Sequence, residues 1–312
     1  VKTRTVLWAL AAATLLNMAS VASAAAPVIG TVTAKGAFRV DNSTVTGNAT
    51  LFEGSTVETA SVVSSLLLQG RARISLAAGS KGKFFGDRMI LEKGEAKLEQ
   101  GATFRFEARG LTIQPGTGTA QARMALAGNT KVRVASLSGA FRVLNSRGVL
   151  VANLASGAAL EFDPQQPSGP TKLTGCLQNK SGHFLLTDET TQVTVELTGP
   201  GLDKEVGNRV AVAGGMDAAA TPVSDASQFI RVTEVKQVAK GCAAGKTSTA
   251  AAGKGGSGGG APAGGAAGGT AGGIGISTAT IAVIGGVAVA ATVGGLAAGG
   301  LLPGQGSSPI SR

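Results

Sequence analysis

Between Ala37 and Phe162 apolar and polar residues alternate in short segments, AFRV, SLLLQG, MILEKG, EAKLEQG, TFRFEARG and KVRVASLSG among them, broken repeatedly by Gly, Asn or Ser. A period of two sends successive side chains to opposite faces of a strand, and turn residues at this spacing break the chain into many short strands. In KVRVAS, Val132 and Val134 share one face while Lys131 and Arg133 share the other. Such a strand covers a core on one side and meets water on the other. The chain from Val28 to Pro164 is therefore expected to be an all-β domain, and no long helix is needed to account for it.

Within this domain one segment is written twice. GAFRV stands at Gly36 to Val40 and again at Gly139 to Val143, and the same ungapped alignment matches Asn42 with Asn145, Ser43 with Ser146, Leu51 with Leu154, Gly54 with Gly157 and Glu58 with Glu161. Two copies are too few for a long solenoid. They predict equivalent positions in a pseudo-symmetric sheet architecture, each burying its Phe and Val in a shared core.

The order and spacing of TLFEGSTVETA, LLLQGRARISLAAGSKG, ILEKGEAKLE, TFRFEARGLTIQPGTG and KVRVASLSGAFRVLNSRGVLVANLASGAALEF resemble the FecR-type periplasmic domain. The resemblance covers about residues 28–164 and rests on turn and strand signatures, with no catalytic motif in it. It implies a periplasmic all-β module; founding members of that family sense an outer-membrane transport event and relay it to a cytoplasmic sigma factor. Those regulators open with a cytoplasmic helical segment followed by a membrane helix. Here a different opening leaves sigma-factor control in doubt.

That opening has the three parts of a secretory signal peptide: Lys2 and Arg4, the apolar run Val6 to Val21, and the small residues Ala22-Ser23-Ala24. Residues 1–24 are expected to form a signal helix that is cleaved; an uncleaved anchor is the alternative. Export bears on Cys176 and Cys242, the two cysteines of the chain, because an oxidising compartment favours their pairing. Two unrelated buried thiols are the other possibility.

A Pro-rich linker is expected over 165–170. After it KLTGCLQN, HFLLTD, QVTVELTG, GNRVAVAGG and FIRVTEVKQVAKGC read as five strands, with one cysteine in the first and the other just past the last. This pattern over 171–242 resembles a small closed barrel of the oligonucleotide/oligosaccharide-binding (OB) type. Residues 243–273 are almost entirely Gly, Ala, Ser and Thr and read as a linker. Residues 274–302 carry no charge and are long enough to cross a bilayer as a helix. Gly286, Ala290, Gly294, Gly295 and Gly299 would give that helix small-residue faces for packing on a membrane partner or on a second copy. A low-complexity tail that stays in water is the alternative, and 303–312 is a polar end.

The formal net charge is +10, and it is unevenly placed. Residues 28–163 hold 16 Lys or Arg against 10 Asp or Glu, whereas 171–242 hold 7 against 8. The densest basic stretch is Arg71, Arg73, Lys81, Lys83 and Arg88 with Phe84 and Phe85 among them. It is a candidate patch for an anionic envelope polymer; hairpin ends with solvated charges are the plainer alternative. Nucleic acid is not expected, because strand-binding barrels stack bases on aromatic side chains and the candidate barrel offers only Phe184 and Phe229.

Residues suited to catalysis are sparse. His183 is the single histidine: a metal site built on it would need several carboxylates or the cysteines as co-ligands, with none clustered near it in sequence, and a serine or cysteine triad would need it within reach of the nucleophile, so it reads as a surface or turn residue. KGCAAGKT at 240–247 lacks the first glycine of a phosphate-binding loop, Gly116-Thr117-Gly118 lacks the third glycine of a dinucleotide fingerprint, and Ser80 with Lys83 lacks the further motifs of serine–lysine acylases. Glu92, Glu95 and Glu99 flank a turn at Gly94 and are candidates for a carbohydrate-cleaving pair, though more simply its solvent face. The sequence thus points to a non-enzymatic envelope protein without cofactor or metal, with periplasmic domains and a single-pass anchor. Its expected partners are an envelope component or a membrane protein. The rivals are a regulator of a sigma-factor and receptor pathway acting through a membrane partner, and a cell-wall carbohydrate enzyme.

Overall fold

The computed structural model describes residues 26–116, 118–164, 170–242, 281–284 and 287–291. The expected signal segment 1–24, the linker 165–170 apart from Pro170, the linker 243–273 and the tail 303–312 lie outside the described residues.

The alternating segments form β1 (Val28–Val40), β2 (Ser43–Phe52), β3 (Thr56–Thr59), β4 (Ser64–Leu68), β5 (Arg73–Leu76), β6 (Lys81–Phe84), β7 (Arg88–Lys93), β8 (Glu95–Gln100), β9 (Arg105–Ala108), β10 (Leu111–Pro115), β11 (Gln121–Ala127), β12 (Lys131–Ser138), β13 (Phe141–Leu144), β14 (Leu150–Leu154) and β15 (Ala159–Asp163). Hydrogen bonding arranges them as two sheets that share the β1–β2 pair. The first runs β2-β1-β4-β5-β8-β11-β12-β15. The second runs β2-β1-β3-β6-β7-β9-β10-β13-β14, antiparallel throughout except for β7 with β9. Both sheets turn their apolar positions to one core, in which Phe38, Phe84, Phe106, Phe141 and Phe162 are the largest fully buried side chains. The alternation read from KVRVAS is realised: Val132 and Val134 are buried, Lys131 and Arg133 exposed.

The repeat marks where the chain passes between sheets. In β1, Gly30–Ala34 pair with β4 in the first sheet, whereas Phe38–Val40 pair with β3 in the second. Between them the register against β2 slips and Gly36 takes a φ of 143°. The second copy crosses in the same direction, from β12 in the first sheet through Gly139, φ 75°, to β13 in the second. Phe38 and Phe141 are buried, as are Val40 and Val143, while Arg39 and Arg142 point outward. The likeness ends one strand later. β3 pairs with the part of β1 beyond the crossing, whereas β15 pairs with β12, before it.

From Thr171 onward the chain forms β16 (Thr171–Lys180), β17 (His183–Asp188), β18 (Thr194–Thr198), a 3-10 helix at Leu202–Glu205, β19 (Arg209–Met216) and β20 (Phe229–Ala239). The strands close in the order β16-β17-β18-β20-β19-β16, with β18 and β20 parallel. Inside lie Leu173, Leu177, Leu186, Val195, Val210 and Ile230, all buried. Gly175 lets β16 and β17 approach closely, because a Cβ there would stand 2.1 Å from the Thr187 carbonyl oxygen. Cys176 and Cys242 are joined by a disulfide across a Cα separation of 5.6 Å, tying the first barrel strand to the end of the last.

The expected membrane helix is corrected in the part that is described. Ile281–Ile284 and Val287–Ala291 are strands, β21 and β22, paired with each other. The sequence reason is visible afterwards: two β-branched runs flank Gly285-Gly286, a dipeptide favoured in two-residue hairpin turns. β22 pairs with β15 from Leu160↔Ala291 to Asp163↔Ala288, and β21 meets β16 at Lys172↔Val283. Ile284, Val287, Ala288 and Val289 are buried. Ala290 therefore faces Glu161 and Ile281 across strands rather than a partner helix, and Gly286, Gly294, Gly295 and Gly299 lie outside the described residues. Among the described residues no helix is long and apolar enough to cross a membrane.

Among the described residues this hairpin is one of two braces between sandwich and barrel. The other lies at β14, where the Asn153 amide donates to the Thr191 carbonyl at 2.7 Å, Asn153 Nδ2 to the Gln192 carbonyl at 2.9 Å, and Gln228 Nε2 to the Leu150 carbonyl at 2.8 Å. Each sheet of the sandwich is thus continued onto the barrel by hydrogen bonds.

Candidate functional site

The five basic residues singled out in the sequence do not form one patch. Arg73 alternates with the buried Ile74 and so lies on the outer face of the first sheet, with exposed Arg71 in the turn before it. Lys81 and Lys83 alternate with buried Gly82 and Phe84 on the outer face of the second sheet, and Arg88 is on β7 beside them. On that face Phe85 organises the charge: the Arg88 guanidinium sits 4.3 Å from its ring centroid and the Lys83 ammonium 5.8 Å.

Acids interleave with these cations. Arg88 pairs with Asp87 at 3.2 Å and Glu107 at 3.5 Å, and Lys81 with Glu92 at 3.2 Å. Slight burial would raise the Asp87 carboxyl, but hydrogen bonding and charge from Arg105, with Arg88 adding to it, hold it below the usual carboxylate range. The face is a strip of alternating sign, and its pull on a polyanion is weaker than its count of cations suggests.

The glutamates are also apart. Glu92 is on β7 in the second sheet, whereas Glu95 and Glu99 are on β8 in the first, paired with Arg123 at 3.2 Å and Lys97 at 3.9 Å. Ser80 is buried and committed to structure: its hydroxyl accepts from the Glu95 amide at 2.9 Å, and its own amide donates to Thr59 Oγ1 at 3.0 Å. Lys83, on the wet face, is not placed to activate it. Among the described residues no group of three or more His, Cys, Asp or Glu could hold a metal ion.

The arrangement that sequence reasoning missed is on the barrel. His183 has Nδ1 2.6 Å from Glu196 Oε1, and the other carboxylate oxygen accepts from the Val223 amide at 2.8 Å. Glu196 is on β18 at a position that faces away from the barrel interior, yet its side chain is only 8% exposed against 47% for His183. The segment between β19 and β20 lies over it, held also by Lys180 with Asp225 and by the Ser227 amide on the Thr194 carbonyl at 2.9 Å. Burial would raise the Glu196 carboxyl; the Val223 amide and His183 together outweigh it and hold it down. A carboxylate inside QVTVELTG was the available signal, since an acid between apolar strand residues needs a donor, and the chain has one histidine to supply it.

A groove of about 510 Å³ opens where β1 leaves the first sheet, lined by Thr33, Lys35, Ser61, Val62, Val63 and Ser65. Ala34 completes the lining, which is mixed, its exposed surface more apolar than polar, and Val63 is 56% exposed at its rim. No protein-family model matches the chain, and no curated protein matches it in sequence.

Proposed function

We propose that this protein is exported to the cell envelope and works by binding, presenting a FecR-like sandwich and an OB-like barrel as one braced body. The observation that carries this reading is the Cys176–Cys242 disulfide, because such a bond persists in an oxidising compartment and is rare in the cytosol. The signal-like order of residues 1–24 points the same way. Support for the OB-like part comes from the strand order β16-β17-β18-β20-β19 and from the loop between β19 and β20 folding over β18, since OB barrels bind through this region. Support for the FecR-like part comes from the sequence signatures and from a two-sheet body built of short turn-linked strands. The binding surfaces are the Phe85 strip, whose interleaved acids and cations suit a ligand carrying hydroxyl as well as anionic groups, and the mixed polar and apolar groove beside β1; the ligand class is an envelope polymer of that chemistry.

Two measurements test the reading. Cells fractionated in the presence of a thiol-alkylating reagent should yield the protein in the envelope fraction, beginning after Ala24 and with both cysteines protected from alkylation. Purified protein should bind isolated cell-wall polymer or lipopolysaccharide, and K83E/R88E should weaken that binding several-fold. Recovery from cytosol with alkylated cysteines overturns the export reading; equal binding by the charge-reversed variant overturns the surface assigned.

A further inference from the structure

We propose that two copies of this chain join edge to edge through β2, as an antiparallel pair that extends the sandwich across a twofold axis. Among the described residues β2 has one strand neighbour, β1, along its whole length. The other ends of the sheets are occupied: β15 carries β22, β16 carries β21, and β14 is stitched to Thr191, Gln192 and Gln228.

Among the described residues the outer half of β20 also has a free side, pairing with β19 alone beyond Arg231. The contrast between the two edges decides the matter. β20 exposes Glu234 and Lys236 there, the kind of charge with which soluble proteins guard an edge against pairing. β2 reads STVTGNATLF, ten residues with neither a charge nor a proline.

The core is also open along that side. Val45 and Ala49 pack against the core cluster yet remain half-buried, although their cross-strand partners Phe38 and Val32 are buried to 2% and 0% exposure. A strand laid beside β2 would complete their burial. The outward row is Thr44, Thr46, Asn48, Thr50 and Phe52, and it keeps its parity past Gly47, whose φ of 85° lets β2 follow the bend of β1. Phe52 is 43% exposed at the end of this row.

A second copy is the occupant that this edge fits. A strand without charge selects no partner by sign, and paired with itself it sets threonines and small polar residues against their like, with no like charges opposed. A twofold pairing is also closed, so it stops at two.

Sedimentation velocity on the full chain over a concentration series, with amide hydrogen exchange at 43–52, tests this. The expected result is a reversible dimer whose β2 amides gain protection as concentration rises. T46K/T50K should weaken dimerisation at least about tenfold, roughly 1.4 kcal/mol, with circular dichroism unchanged. T233K on the β20 edge should leave it as it was. A monomer throughout, whether its β2 amides exchange freely or are covered by another segment of the same chain, overturns the proposal. So does a dimer that survives the two lysines.

Discussion

Phe38 and Phe141 each stand two residues beyond a positive-φ glycine, Gly36 and Gly139, at the two places where the chain leaves the first sheet for the second. Both rings are buried in the same core, at 2% and 1% exposure. The repeated pentapeptide is therefore a crossing device: glycine allows the turn, and the aromatic ring fastens the far side of it. Truncating either ring should cost a similar amount, about 3 to 5 kcal/mol. Denaturant midpoints of F38A and F141A would test the equivalence. A loss under about 1 kcal/mol at either site would mean that its ring does not anchor the crossing.

The disulfide closes the barrel at the point where β20 ends, across a sequence separation of 66. A loop of that size is constrained by about 4 kcal/mol in the chain-entropy account. C176S/C242S should lower the thermal midpoint under non-reducing conditions, whereas in excess reductant it should melt with the reduced wild-type chain. Identical melting of the oxidised forms would show that the barrel does not depend on the bond.

Much of this architecture was legible because two signals coincide: side-chain period and turn chemistry. Strands such as β12 and β16 follow from Val, Leu and Lys at alternate positions, and the disulfide from two cysteines in an expected export context. The terminal hairpin was misread because apolarity and length describe a membrane helix and a pair of buried strands equally well. What separates them in Ile281 to Ala291 is β-branching around Gly285-Gly286, a local cue outweighed by the length of the run. The basic cluster was misread for a topological reason, since β5 and β6 are neighbours in sequence but belong to different sheets. His183 and Glu196 were not paired because the loop that buries Glu196 arrives from between β19 and β20, far along the chain.

The hairpin yields a prediction of its own. Val289 is fully buried and opposes Phe162 of β15. An unpaired carboxylate at this position has no compensating donor, so V289D should cost several kcal/mol or expel the hairpin. Limited proteolysis should then cut within 281–291 while the wild-type chain resists cleavage there. Equal resistance of the two proteins would place Val289 outside the packed core.

Asp188 fixes the turn that carries Thr191 to the sandwich. Its carboxylate is fully buried and accepts from the Thr174 amide at 2.9 Å, the Thr191 amide at 2.8 Å and the Thr191 hydroxyl at 2.9 Å. Burial pushes this carboxyl above its usual range, while the hydrogen bonds pull the other way without reversing it. D188N would turn an amide NH2 toward one set of donors, at a cost of about 2 to 4 kcal/mol. N153A, which removes only one side-chain bond on the far side of the joint, should cost about 1 kcal/mol. Chemical denaturation of the two variants should rank them in that order, and the reverse order would sink this account of the joint.

Glu161 gives the acid dependence a defined sign. It lies on β15 beside Ala290 of β22, with its side chain 17% exposed, bonded to Lys131 at 2.7 Å and Arg133 at 2.9 Å. Hydrogen bonds from Lys131 and then Arg133 hold its carboxyl below the usual carboxylate range, against the opposing effect of burial. A value lowered by folding means that the unfolded chain takes up the proton first as pH falls. The stabilisation from this ion pair is therefore complete above the ordinary carboxylate pKa and disappears as pH drops through the folded value. The wild-type chain should exceed E161Q in stability at neutral pH, with the gap closing as acidification carries the pH through the lowered folded value of Glu161. Denaturant midpoints measured in parallel across that interval would decide it. A gap that stays constant with pH would assign the loss in E161Q to packing rather than to charge.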